Sequence, residues 1–241
     1  MGGNRHAFPY AVLDDAGIDI TGLDPYHAWK KAEELGLLGA EKRAIEKAQE
    51  VAENVIYRGG NPLYFERAVD LVKYCISKFN LNKLKRIETI DSIPRLEKSP
   101  AGANGGKLLI TTKFLNNPST IYSNSNDKML SSGFTRRNVT YDDPIATVLY
   151  HEIGHIVGDQ LFGLRNNQFI KSDISEEVVA DRYFEVSQCY YDSISNGAIK
   201  SISERALEDE VEFFAEAFCM YMMKDKELPI DIYDMIEKVC Q

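Results

Sequence analysis

Two histidines and a glutamate in the run HEIGH, residues 151 to 155, carry the clearest chemistry in this chain. On a helix, residues four apart differ by about 40° of rotation and about 6 Å of rise, so His151 and His155 would point their imidazoles the same way and reach one ion. Glu152 would then sit close enough to touch a water on that ion without being a ligand, the general-base position of zinc peptidases. Gly154 lets a neighbouring backbone approach closely. A bare HExxH also arises by chance on helix surfaces, but the chain holds only four histidines and two of them fall here.

Zinc held by two neutral histidines takes a third protein ligand and leaves a fourth position for water. His6 and His27 lie far upstream in a different segment, which makes a downstream carboxylate the better source. Two segments compete. EEVVAD offers Glu177, 22 residues after His155, and EFFAE offers Glu212, 57 residues after it, with Glu216 one turn further. EFFAEAFCMYMM is apolar almost all round, so its acids need partners in the core, whereas EEVVADRYFEV is more amphipathic and has Arg182 to pair its acids. The surroundings favour Glu212. In either segment the second acid could hydrogen-bond a ligand histidine and fix its ring.

HEIGH followed by EFFAEAF resembles the catalytic domain of anthrax lethal factor and related domains of tailed-phage minor head proteins, zincin metallopeptidases of the gluzincin type. The likeness spans about residues 61 to 225. It implies a zinc site of His151, His155 and Glu212, with Glu152 as general base and Glu216 behind a histidine. It also implies that KLLITTKFL, residues 107 to 115, borders the cleft, where an extended substrate adds as a further strand. These relatives carry a tyrosine seven residues before the ligand glutamate, in a context like S-x-Y-A, and that position here is Arg205 in SERAL. The tyrosine hydroxyl serves the oxyanion, and loss of one such donor costs about 10²-fold or more in rate. Arg205 could supply the donors instead, or could be a surface arginine of a domain without activity. Tyr183, Tyr190 or Tyr191 could also replace the tyrosine.

The elements that must position these residues are mostly helices. TGLDPYHAWKKAEELGLL, opened by Asp24-Pro25, and EKRAIEKAQEVAENVIY, ended by Gly59-Gly60, predict a helical hairpin within an N-terminal extension, residues 1 to 60. NPLYFERAVDLVKYCISKF predicts a third helix with Leu63, Phe65, Ala68, Leu71, Val72, Cys75 and Phe79 on one stripe, lying on a sheet. LKRIETI and KLLITTKFL are the strands, separated by a segment too long for a tight hairpin. Ser99 to Gly106 and Asn116 to Gly133 read as loose. Asp143-Pro144 opens the HEIGH helix, whose buried side is marked by Ile145, Val148, Leu149 and Ile153. Further helices are expected at 175 to 191 and 207 to 223. The expected fold class is α+β, mostly helical with a small mixed sheet beside the HExxH helix, and the resemblance implies that it is zincin-like, with a peptidase domain over residues 61 to 241.

Composition excludes several classes. A net charge of -9, with 11 acids against 4 bases in residues 201 to 241, argues against a nucleic-acid partner. No apolar run approaches the roughly 20 residues that cross a bilayer, and MGGNRHAFPY lacks the apolar core of a secretory signal, so the expected setting is cytoplasmic, with no membrane partner, and the phage resemblance adds a virion-associated alternative. The four scattered cysteines read as free thiols. The leading expectation is a zinc-dependent endopeptidase acting on a peptide or protein substrate. Its alternatives are a phage head or assembly protein that uses the domain as a scaffold, suggested by Arg205, and a regulatory repressor-cleaving peptidase, suggested by EEVVAD.

Overall fold

The computed structural model describes residues 10–94, 99–123, 143–165 and 167–241, so His6 and most of the loop between Asn116 and Gly133 lie outside the described residues. The chain is mostly helical with a small mixed sheet, an α+β architecture. Helices α1 (Tyr10–Asp15), α2 (Pro25–Glu34) and α3 (Ala40–Val51) come first, followed by strand β1 (Val55–Ile56) and helix α4 (Pro62–Lys78). Asp24 caps α2 by accepting from the backbone N–H groups of Tyr26 and His27, and Asn61 caps α4 ahead of Pro62.

The N-terminal segment divides in two. Leu13, Ala16, Ala28, Ala32 and Leu37 enclose a small core of their own. Helix α3, in contrast, buries Ala44, Ala48 and Val51 in the main core and packs along α4, so the expected α2–α3 hairpin gives way to an α3–α4 pair. The helix also ends earlier than its pattern suggests, at Val51, and Val55–Ile56 joins the sheet.

The sheet has the order β1-β2-β4-β3, with β2 at Arg86–Ile90, β3 at Ala101–Asn104 and β4 at Lys107–Thr111. Strands β1, β2 and β4 run parallel, and β3 pairs antiparallel to β4 from Ala101 opposite Ile110 to Asn104 opposite Lys107. This corrects the expected cleft border. The inner strand is β4, and the edge facing the HExxH helix is β3, which falls inside the stretch expected to be loose. Gly105 and Gly106, both at positive φ, make the two-residue turn that a tight hairpin requires.

After α5 (Thr112–Asn116) come α6 (Pro144–Phe162), α7 (Glu176–Asn196), α8 (Glu210–Met222) and α9 (Ile230–Cys240). Asp143, Ser175 and Asp209 cap α6, α7 and α8 with side-chain oxygens, and Gly163 and Gly197 end α6 and α7 in the left-handed region. Helix α6 is buried on nearly every side, wider than the single stripe expected, because α4, α8 and β3 all pack on it. The four cysteines form no disulfide among the described residues. Among the described residues no helix is long and apolar enough to cross a membrane.

Candidate metal centre

Helices α6 and α8 pack closely enough to place both halves of the motif face to face. The contact depends on Gly154: a Cβ there would lie 3.0 Å from Ala215 Cα and 3.2 Å from Phe218 Cβ. Ala215 stands between Glu212 and Glu216 in sequence, so this approach carries both carboxylates toward the histidines.

His151, His155 and Glu212 each turn a donor atom to a common point, all within 4.8 Å of one another. Glu212 Oε2 lies 3.4 Å from His151 Nε2, and Glu212 Oε1 lies 3.5 Å from His155 Nε2. Bonds of about 2.0–2.1 Å to a tetrahedral ion give donor separations of about 3.4 Å, so these two spacings fit zinc. The imidazoles are nearly perpendicular, at 88°, with centroids 4.8 Å apart. The buried His151 Nε2 and His155 Nδ1 have no hydrogen-bond partner among the described residues. A buried His-His-Glu cluster of this kind could hold a metal ion.

Glu216 Oε1 lies 2.9 Å from His151 Nδ1. Burial works against charge on both groups, but their mutual hydrogen bond and attraction prevail: His151 is held above its ordinary range and Glu216 below its own. His155 is driven well below its usual value, first by burial and then by His151, Arg165 and Arg205. Glu152 is half-buried, and burial raises its carboxyl pKa, with His151, Arg205 and the backbone N–H of Ala103 pulling the other way.

Arg205 reaches the site from the short turn Arg205–Leu207, its Nε 2.8 Å from Glu212 Oε2. Burial opposes its charge, and Glu212, Glu216 and Glu152 more than compensate, raising its pKa. The tyrosines do not stand in its place. Tyr190 donates its hydroxyl to the Leu207 carbonyl at 3.0 Å, while Tyr183 and Tyr191 are exposed. Glu177 is exposed in the first turn of α7 and outside the ligand group, and His27 pairs with Asp24 at the surface.

Two residues with a part in the site were not singled out from the sequence. Ser203 accepts from the Ala206 N–H at 3.0 Å, pinning the turn that bears Arg205, and also hydrogen-bonds Glu216. It is the serine of the S-x-Y-A context, which is the signal that could have found it. Arg165 binds the buried Asp159 on α6, with Nη2 at 2.6 Å from Oδ2, and donates from Nη1 to the Ala103 carbonyl at 2.7 Å. No local pattern announces that link.

Comparison of the chain with family models, curated proteins and solved structures finds no match.

Proposed function

We propose that this protein is a zinc-dependent endopeptidase with His151, His155 and Glu212 as ligands. The observation that carries the reading is the convergence of those three donors beside a half-buried glutamate on the same helix. A zinc ion bound there would lower the pKa of a coordinated water to about 7 and polarise a carbonyl. Glu152 takes the proton from the attacking water and passes it to the leaving nitrogen, a task suited to a carboxylate whose pKa burial has raised. Glu216 orients His151 through Nδ1 so that Nε2 faces the ligand group. Arg205 supplies positive charge where an oxyanion would develop. Strand β3 offers the sheet edge along which an extended peptide can lie.

The test is cleavage of denatured casein by purified protein with and without chelator, beside the Glu152→Gln variant. Chelator-sensitive cleavage that Glu152→Gln loses while retaining zinc supports the proposal. Proteolysis undiminished in that variant refutes the assignment of the base.

A second reading, a phage head or assembly protein built on a zincin-like scaffold with weak or no activity, draws on one feature: the arginine standing where a tyrosine is expected already engages Glu212. Bound zinc without chelator-sensitive cleavage of casein or basic peptides favours it. The repressor-cleaving reading needed Glu177 as ligand, and its exposed position outside the donor group gives that no support.

A further inference from the structure

Three acids, Glu152, Glu212 and Glu216, act on Arg205 by their charge, and like charges near one another repel unless a cation lies among them. Arg205 is such a cation. Its side chain is 30 % exposed and touches Glu212 Oε2 at 2.8 Å, leaving Oε1 toward His155. The backbone that presents it is fixed: Ala206 is fully buried, its N–H is held by Ser203, and Leu207 is held by the Tyr190 hydroxyl. A guanidinium on a rigid turn can therefore keep the Glu212 carboxylate in one orientation.

We propose that Arg205 is a positioning residue that acts as an internal counter-cation, holding Glu212 in its ligand position when no divalent ion is bound and competing with that ion for the carboxylate. The proposal rests on the metal-centre reading above and gives the arginine a role that an oxyanion donor would not have. The metal-free protein keeps a preformed site, and the cost is weaker metal binding. A tyrosine at 205, uncharged at neutral pH, could not serve as that counter-cation.

The experiment compares metal-stripped wild type, Arg205→Met, Arg205→Lys, Glu212→Gln and the Arg205→Met/Glu212→Gln double variant, by thermal unfolding and by zinc competition against a chromogenic chelator. Arg205→Met should lower the metal-free Tm by about 5 °C, since it strands Glu212 beside two other acids. It should also tighten zinc binding about tenfold or more, since a positive charge beside the ion is gone. Removing both partners should restore the metal-free Tm to near the wild-type value and abolish tight zinc binding. Arg205→Met protein that folds only with zinc present is the same result in stronger form. Arg205→Lys keeps the charge and should retain most of the metal-free Tm. Unchanged metal-free Tm in Arg205→Met, weaker zinc binding in it, or Arg205→Lys as unstable as Arg205→Met overturns the proposal. Wild type that binds no zinc overturns the metal-centre reading and this inference together.

Discussion

Replacing Gly154 with alanine tests whether the site depends on a close helix crossing. The added Cβ would lie 3.0 Å from Ala215 Cα, 3.2 Å from Phe218 Cβ and 3.3 Å from the Ala215 carbonyl oxygen. Carbon atoms prefer about 3.5–4.0 Å, so α6 and α8 must give locally by a few tenths of an ångström. Two of the three obstructing atoms are backbone, which cannot rotate aside. Overpacking of this kind costs about 1–3 kcal/mol, and the gain in helix propensity returns at most about 1 kcal/mol. With that gain realised the net loss is up to about 2 kcal/mol, a Tm lower by up to about 8 °C in a chain of this size. Ala215 lies between Glu212 and Glu216, so the displacement also moves the ligand carboxylate, and metal sites tolerate only about 0.2 Å. Zinc affinity by chelator competition should fall at least tenfold. Gly158→Ala is the control, because its Cβ would meet atoms of the Leu164 and Phe162 side chains only, and should cost less. A Gly154→Ala protein as stable as its parent, with undiminished zinc affinity, would refute the reasoning.

Arg165→Ala should be costly, about 3–5 kcal/mol by denaturant unfolding, because Asp159, 1 % exposed, loses the guanidinium that binds both its oxygens; a change below 1 kcal/mol would show that the pair is not what holds β3 to α6. Glu216→Gln should leave a folded protein with zinc binding weakened about 10- to 100-fold, since His151 loses the carboxylate at its Nδ1, and unaltered affinity counts against that role. The metal-free protein should lose stability on acidification through His155. Its pKa in the fold lies well below the ordinary 6.5, so the unfolded chain takes up a proton near 6.5 that the folded chain refuses. That stability is present above 6.5 and is lost as pH falls, at up to about 1.4 kcal/mol per pH unit, so His155→Gln should flatten the decline between pH 7 and 5. An equally steep decline in His155→Gln would mean that another group is responsible.

Local chemistry made the helices legible. Asp24-Pro25 and Asp143-Pro144 mark starts where they fall, because caps act through neighbouring backbone groups, while the helices expected at 175 to 191 and 207 to 223 fall at Glu176–Asn196 and Glu210–Met222. Strand β3 was not legible. AGAN has no β-branched or aromatic residue, and it is a strand because the Gly105-Gly106 turn lays it against β4. Strand β1 was hidden for the opposite reason, since Val55 and Ile56 continue a helical pattern and only parallel pairing with Ile87 and Glu88 takes them out of it. The site divides in the same way. The histidine spacing and the apolar setting of Glu212 are local facts, while Arg165 acts on Ala103, 62 residues earlier, through a contact set only by the fold.

The buried polar groups of α6 give an independent reason to expect a cation at this point. Thr147 Oγ1 donates to the Asp143 carbonyl at 3.0 Å. Gln160 donates to the Asn82 carbonyl and accepts from its N–H, and Asp159 is bound by Arg165. The demands of these three are met by protein atoms, as buried polar groups require. His151 and His155 differ. When neutral and turned to the common point they present ring nitrogens as acceptors, and Glu212 adds carboxylate oxygens that can only accept. Acceptors converging at 3.4 and 3.5 Å repel unless something positive joins them. A proton can join one pair, and Arg205 pairs with Glu212. A metal ion could join all three donors together, which is why their convergence carries more weight than the HExxH run alone.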